Sequence, residues 1–135
     1  IIGIKEATGD LRQVSDVIAL CGDNFIVLSG DDFTTFPLLT VGGMGVISVT
    51  ANIVPGDVAS LCNEFFRRNI EKAKKIHYRL RSLHEAMFYE TNPIPVKTAL
   101  SLMGKVSGEM RLPLCPMSEK NLERLKGAMK QYKLI

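Results

Sequence analysis

The chain has 135 residues, of which 46% are hydrophobic and 23% are charged, a composition typical of a globular domain and not of a disordered segment. Its 17 basic and 14 acidic residues leave a formal charge of +3, which is too balanced to indicate a nucleic-acid or membrane partner. Because no apolar run approaches the roughly 18 residues that span a bilayer, and no secretory leader pattern opens the sequence, we expect a soluble, cytoplasmic protein.

The first segment is the apolar run from Ile1 to Ile4, which ends at Lys5 and is typical of a buried parallel strand. The last residue of such a strand lies at the carboxyl edge of the sheet, where α/β folds build their sites. Burial there disfavours the charged form of an amine and leaves it free to attack a carbonyl, so Lys5 is a candidate Schiff-base lysine. The alternative is a strand-end lysine whose ammonium group merely reaches water.

Helical and extended patterns alternate in the next part of the chain. Asp10 is predicted to cap a helix, with Gln13 completing a capping box and Gly22 ending the helix. Two further strands are predicted at Phe25–Leu28 and Val46–Val49, and between them a helix from Phe33 to about Val41, capped by Asp31 or Asp32. This alternation predicts a parallel sheet covered by helices, although the periodicity does not distinguish an open doubly wound sheet from a barrel.

From Pro55 onward every predicted element is a helix. The apolar spacing predicts helices from Pro55 to about Arg68, from Ile70 to Glu90, from the prolines at 93 and 95 to Met103, and from a Ser118 cap to near the end of the chain. The first of these helices is expected to face the core with Val58, Leu61, Cys62, Phe65 and Phe66. We expect the segment Leu112–Pro116 to be an extended linker before the last helix.

The cysteines and histidines do not indicate a metal site. Cys21, Cys62 and Cys115 are odd in number and contain no C-x-x-C pair, so we interpret them as small apolar core residues. His77 and His84 lie seven residues apart on one predicted helix, whereas metal-binding pairs on a helix usually lie three or four residues apart. We therefore predict exposed or partly packed histidines and no metal.

Four segments carry a resemblance to a known family. They are Ile2–Asp10, Leu28–Asp32, Gly42–Asn52 and Asn92–Lys97, in this order along the chain. Together with Leu112–Leu114 before the last helix, they resemble the dihydrodipicolinate synthase family of pyruvate-dependent class I aldolases. The Asn92–Lys97 stretch separates this family from N-acetylneuraminate lyase and the 2-keto-3-deoxy sugar-acid aldolases, which are the alternative enzymes. A non-catalytic α/β interaction domain is the alternative of another class.

The resemblance implies a mechanism and a set of site residues. Lys5 would condense with pyruvate, the imine would become an enamine, and the enamine carbon would add to aspartate semialdehyde before cyclisation releases a heterocycle. Carried over by position, Gly30 would line the pyruvate pocket and the main-chain carbonyl of Ile47 would face the substrate. Asn92 would approach the aldehyde side. No cofactor is implied apart from the covalent pyruvate imine on Lys5.

The resemblance also implies an architecture, the C-terminal portion of a (β/α)₈ TIM barrel. Residues 1–68 would form its last three β/α units and residues 69–135 a C-terminal helical domain. The family's proton-relay tyrosine, its threonine partners and its carboxylate-binding arginine belong to earlier strands, so we expect a missing N-terminal barrel half and an inactive chain by itself. A homotetramer is also implied. Because three strands cannot close a barrel, we expect uncovered inward faces at Ile2, Ile4, Ile26, Leu28 and Ile47.

Overall fold

Three short parallel strands form one sheet in the computed structural model, which describes residues 1–135. The strands are β1 (Gly3–Glu6), β2 (Ile26–Ser29) and β3 (Gly45–Val46), and they lie in the order β1-β2-β3. Gly3 pairs with Ile26, and Leu28 pairs with Gly45. The prediction of three parallel strands is therefore confirmed, although β3 is shorter than predicted because the chain turns into a 3₁₀ helix at Thr50–Asn52.

Six α-helices surround and extend this sheet. They are α1 (Leu11–Cys21), α2 (Thr35–Thr40), α3 (Pro55–Phe66), α4 (Ile70–Ala86), α5 (Ile94–Leu102) and α6 (Glu119–Gln131). Pro55 occupies the first turn of α3, where its missing N–H costs no helical hydrogen bond. None of the six helices combines the length and the apolar character that a membrane crossing requires.

The helix caps correct several details of the sequence prediction. The Asp10 carboxylate caps α1 by accepting from Arg12 N at 2.8 Å, as predicted, but the Asp10 amide donates to Thr8 Oγ1 and not to Gln13, so the capping box is wrong. Thr34 occupies the N-cap of α2, and neither Asp31 nor Asp32 does. The reason becomes clear at the site, where Asp32 receives its donors from a distant part of the chain.

The last helix and its linker also differ from the prediction. Ser118 occupies the N-cap position of α6 without a capping bond, because its hydroxyl donates to the Glu90 carboxylate at 2.5 Å. Leu112 and Pro113 form a turn, which the Leu114 N–H closes by donating to Arg111 O at 3.0 Å, so the segment is not simply extended.

One large apolar core holds the helices together. It contains 17 buried residues from α2 to α6 and from the segments that join them, and Leu80, Leu83, Met87, Leu125 and Met129 within it are fully buried. A smaller cluster of Val14, Val27 and Leu38 lies between the sheet, α1 and α2. Because the larger core includes residues from both sides of residue 68, the division into barrel units and a C-terminal helical domain stays a prediction.

Some residues expected in the core lie elsewhere. Cys21 and Cys115 are exposed and only Cys62 is partly buried, since Cys21 ends a helix whose buried face lies toward Val14 and Cys115 lies in the linker. Phe66, at the end of α3, is 48% exposed. His84 shows the opposite deviation, because it is 2% exposed where we expected an exposed or partly packed side chain.

Candidate active site

The carboxyl ends of the three strands meet at one edge of the sheet. The Gly30 N–H donates to Glu6 O at 2.6 Å, and the Ile47 N–H donates to Ser29 O at 2.8 Å, so the parallel ladder continues just past each strand. Lys5 precedes Glu6 on β1. The structure thus brings Lys5, Gly30 and Ile47 to the ends of three neighbouring strands, as the sequence predicts.

Gly30 lies against the Lys5 side chain. A Cβ atom built on Gly30 would lie 2.8 Å from Lys5 Cε and 3.0 Å from Lys5 Cγ, and 2.6 Å from Ala7 Cβ. Real Cβ atoms do not approach neighbours so closely, so a larger residue would force the lysine stem to move. The glycine therefore leaves room for the lysine itself.

The face of the sheet that carries Lys5 is open. Strand pairing places Lys5 beside Leu28, on the same face as Ile26, and an apolar groove of about 280 Å³ lies here. Ile26 is 40% exposed and Ile47 is 48% exposed, which confirms the expected uncovered faces. Lys5 is exposed as well, so the burial expected of it is not present within these 135 residues.

Two isoleucines of β1 require a correction. Ile4 pairs with the buried Val27, so alternation places Ile2 and Ile4 on the face opposite Lys5 and not on the inward face. Ile2 is 79% exposed and Ile4 is 44% exposed because β1 is an edge strand with no neighbour on its outer side. The predicted strand is therefore correct in position but is not buried.

A second polar cluster lies just behind the site and was not predicted. The Asp32 carboxylate is 1% exposed. Its Oδ2 accepts from Val49 N at 2.9 Å and from Thr50 N at 3.1 Å, and its Oδ1 accepts from the Ser48 hydroxyl. Asp32 therefore caps the 3₁₀ helix after β3 and not the nearby α2.

His84 completes this cluster from α4. Its Nδ1 lies 2.9 Å from Thr50 Oγ1 and 3.9 Å from Asp32 Oδ1, while its Nε2 is buried without a hydrogen-bond partner. Burial lowers the pKa of His84, and the neighbouring Asp32 charge opposes this only in part. The side chain is therefore a neutral imidazole near neutral pH.

The remaining candidates make no hydrogen bond to these strand ends. Asn92 is exposed in the turn before α5, and no hydrogen bond joins it to Lys5, Gly30 or Ile47. His77 stacks on Phe36 with ring centroids 5.5 Å apart, and burial lowers its pKa. The structure places no three His, Cys, Asp or Glu side chains together in an arrangement suited to a metal ion.

One signal in the sequence could have revealed His84. It follows Leu80 by four residues and is next to Leu83, so it belongs to the apolar stripe of α4 that packs into the core. A polar residue in such a stripe needs a partner, which here is Thr50. The partner could not be identified from local spacing, because the two residues are 34 positions apart.

A parallel α/β sheet with a lysine, a glycine and a short loop at the carboxyl ends of its strands is typical of α/β enzymes, which build their sites there. The comparisons with known proteins narrow this class. The chain belongs to the Dihydrodipicolinate synthetase family, whose model matches residues 1–132. The predicted family is thus confirmed.

Individual relatives agree with this assignment. Over 135 residues the chain is 59% identical to the 4-hydroxy-tetrahydrodipicolinate synthase of Thermodesulfovibrio yellowstonii and 58% identical to that of Geobacter sulfurreducens, covering 46% and 47% of their lengths. It superposes on the crystal structure of dihydrodipicolinate synthase from Thermotoga maritima with a TM-score of 0.96 at 46% identity, covering 100% of this chain and 46% of that one. The chain therefore spans about half the length of the relatives it matches.

Proposed function

We propose that this chain provides the Schiff-base lysine of a 4-hydroxy-tetrahydrodipicolinate synthase, a lyase of lysine and diaminopimelate biosynthesis. The observation that carries the proposal is the packing of the Lys5 stem against Gly30, at the strand ends of a chain 59% identical to such a synthase. A strand-end lysine that merely reached water would not need a neighbour without a side chain. The same identity favours this synthase over the other pyruvate-dependent aldolases.

In the proposed reaction the Lys5 amine attacks the keto carbon of pyruvate, and loss of water gives an imine. The imine loses a proton from the methyl carbon and becomes an enamine, whose carbon adds to the aldehyde of aspartate semialdehyde. Cyclisation then releases 4-hydroxy-tetrahydrodipicolinate and frees the lysine. The covalent imine accepts the electron pair left when the methyl carbon loses its proton, so the reaction as proposed uses no separate cofactor.

Three further residues have proposed roles at this site. Gly30 lines the pyruvate pocket, where a compact keto acid must approach the backbone closely. The main-chain carbonyl of Ile47 faces the bound pyruvate from the end of β3. Asn92 approaches the aldehyde side. The position of Gly30 and Ile47 at the strand ends beside Lys5 supports the first two roles.

The activity is proposed for a longer barrel that contains this chain. Support comes from the open sheet face around Lys5 and from the coverage of about half of each relative. The preceding strands would cover this face and supply the proton relay and the carboxylate-binding arginine. We further propose a homotetramer in the cytoplasm, as the family resemblance implies.

Borohydride trapping tests the proposal. The full-length barrel is incubated with pyruvate and sodium borohydride, which reduces an imine to a stable amine, and the modified residue is mapped by mass spectrometry. We expect one adduct, on Lys5. The absence of an adduct, or an adduct on another lysine, would overturn the proposal. In a separate incubation without borohydride, pyruvate and aspartate semialdehyde should yield the heterocycle, and aspartate semialdehyde added before the borohydride should lower the amount of trapped adduct.

A further inference from the structure

The buried Asp32 carboxylate has no part in the proposed reaction, yet both of its oxygens accept hydrogen bonds. Three donors reach it, from Ser48, Val49 and Thr50, and no cation lies against it. Bonds to an ionised acceptor are shorter and stronger than neutral ones, and a buried carboxylate without them would be costly. The structure therefore maintains this arrangement against a substantial desolvation penalty.

The donors come from the three residues that directly follow Ile47. The Ile47 N–H donates to Ser29 O, on one side of its carbonyl, and the Ser48 hydroxyl donates to Asp32 on the other side. Asp32 itself follows Gly30 by two residues. One carboxylate thus connects the end of β2, next to Lys5, to the loop that carries the Ile47 carbonyl.

His84 holds this loop from the opposite side. Its Nδ1 bonds to the Thr50 hydroxyl at 2.9 Å, and α4, which carries it, is anchored in the large apolar core. The Nδ1 atom and the Thr50 hydroxyl share one hydrogen bond, and the tautomer of the ring decides which of the two donates. Thr50 is therefore bonded through both its amide and its hydroxyl, and the loop cannot shift without breaking one of these bonds.

We propose that Asp32, Thr50 and His84 are positioning residues that fix the Ile47 carbonyl for pyruvate bound at Lys5. This inference rests on the proposed function, because it assumes that pyruvate forms an imine there. Loss of the Thr50 hydroxyl should weaken the affinity for pyruvate while leaving Lys5 able to react. The network acts through the backbone and does not touch the substrate.

The test compares three variants of the full-length barrel in the borohydride assay. Thr50→Val removes the hydroxyl at nearly constant volume, Thr50→Ser retains it, and Thr98→Val makes the same chemical change at a hydroxyl that donates to Ile94 O on α5. We expect Thr50→Val to raise the half-saturating pyruvate concentration roughly two- to tenfold, the equivalent of one lost hydrogen bond. Thr50→Ser should restore most of the parent value, and Thr98→Val should not change it.

The amount of adduct at saturating pyruvate separates positioning from folding. A purely structural role would reduce this amount without moving the half-saturation point, and that result would overturn the inference. An unchanged half-saturation point in Thr50→Val would also overturn it, provided that the parent forms the Lys5 adduct. A parent without the adduct would instead show that the proposed function is wrong. If Thr50→Val does not fold, Ser48→Ala, which removes a donor to Asp32, should show the same increase.

Discussion

The strand-edge region and the helical region differ sharply in how well their apolar residues are covered. Beside Lys5, Ile26 and Ile47 are exposed, whereas Leu80, Leu83 and Leu125 of the helices have no accessible surface. Burial of an aliphatic side chain contributes about 1.5–3 kcal/mol, so most of the chain's stability lies in the helices. The proposed chemistry lies where the chain is least packed, and the helical core provides the rigid support for it.

The largest effect is expected from replacing the lysine at the strand edge. Lys5→Arg should abolish the pyruvate adduct, because a guanidinium retains charge and bulk but cannot act as an amine nucleophile. The melting temperature should change little, since charge and bulk are retained and Lys5 makes no ion pair within these 135 residues. Trapping and thermal unfolding measure the two effects. Lys120→Arg, at an exposed position of α6, is the matched control and should behave like the parent, and a Lys5→Arg protein that still forms the adduct would contradict the mechanism.

The second prediction concerns stability in the two regions. Leu80→Ala should lower the free energy of unfolding by about 2–5 kcal/mol, because it leaves a cavity in the fully buried core of α4. Ile2→Ala, at a site 79% exposed in this chain, should change it by no more than about 0.5 kcal/mol. Urea unfolding of the 135-residue chain measures both. Equal losses would show that the edge strand contributes as much as the helices.

The third prediction tests the close contact at the strand ends. Gly30→Val should raise the KM for pyruvate or abolish binding, because the new side chain would overlap the Lys5 stem and the space proposed for the keto acid. Gly30 does not have a positive φ, so the effect would come from contact and not from backbone strain. Gly127→Val, in α6 where an added Cβ meets nothing within 4 Å, is the control. Unchanged kinetics for Gly30→Val would mean that Gly30 serves only the turn.

These predictions depend on elements that local sequence patterns could identify. The apolar runs before Lys5 and Ser29 predicted β1 and β2, and the spacing of Leu122, Leu125 and Met129 predicted α6. Lys5, Gly30 and Ile47 came together as expected because the carboxyl ends of neighbouring parallel strands always share one edge. Such features depend on short-range periodicity and on one topological rule.

The features that could not be predicted depend on contacts distant in sequence. Asp32 resembles a helix cap locally, but the groups that donate to it lie 16 to 18 residues further along the chain. Its carboxylate accepts from these groups and not from the first turn of α2. The exposure of Cys21 and Phe66 depends on which faces the rest of the fold covers. Local spacing identifies an amphipathic helix, but it does not determine how far the buried face extends at the helix ends.

The smallest predicted effect lies in the helical region, at Tyr132. Burial, together with the bond from its hydroxyl to Asp57, raises the pKa of Tyr132 from 10.0 to about 12. A folded-state pKa above the unfolded value means that this contribution to stability is complete below about pH 10 and is lost as the pH rises toward 12. The parent chain should therefore lose more stability than Tyr132→Phe across this range, as measured by urea unfolding at each pH. The tyrosinate absorbance of the parent, minus that of the variant, should give the same pKa, and parallel stability profiles would show that folding does not raise the pKa of Tyr132.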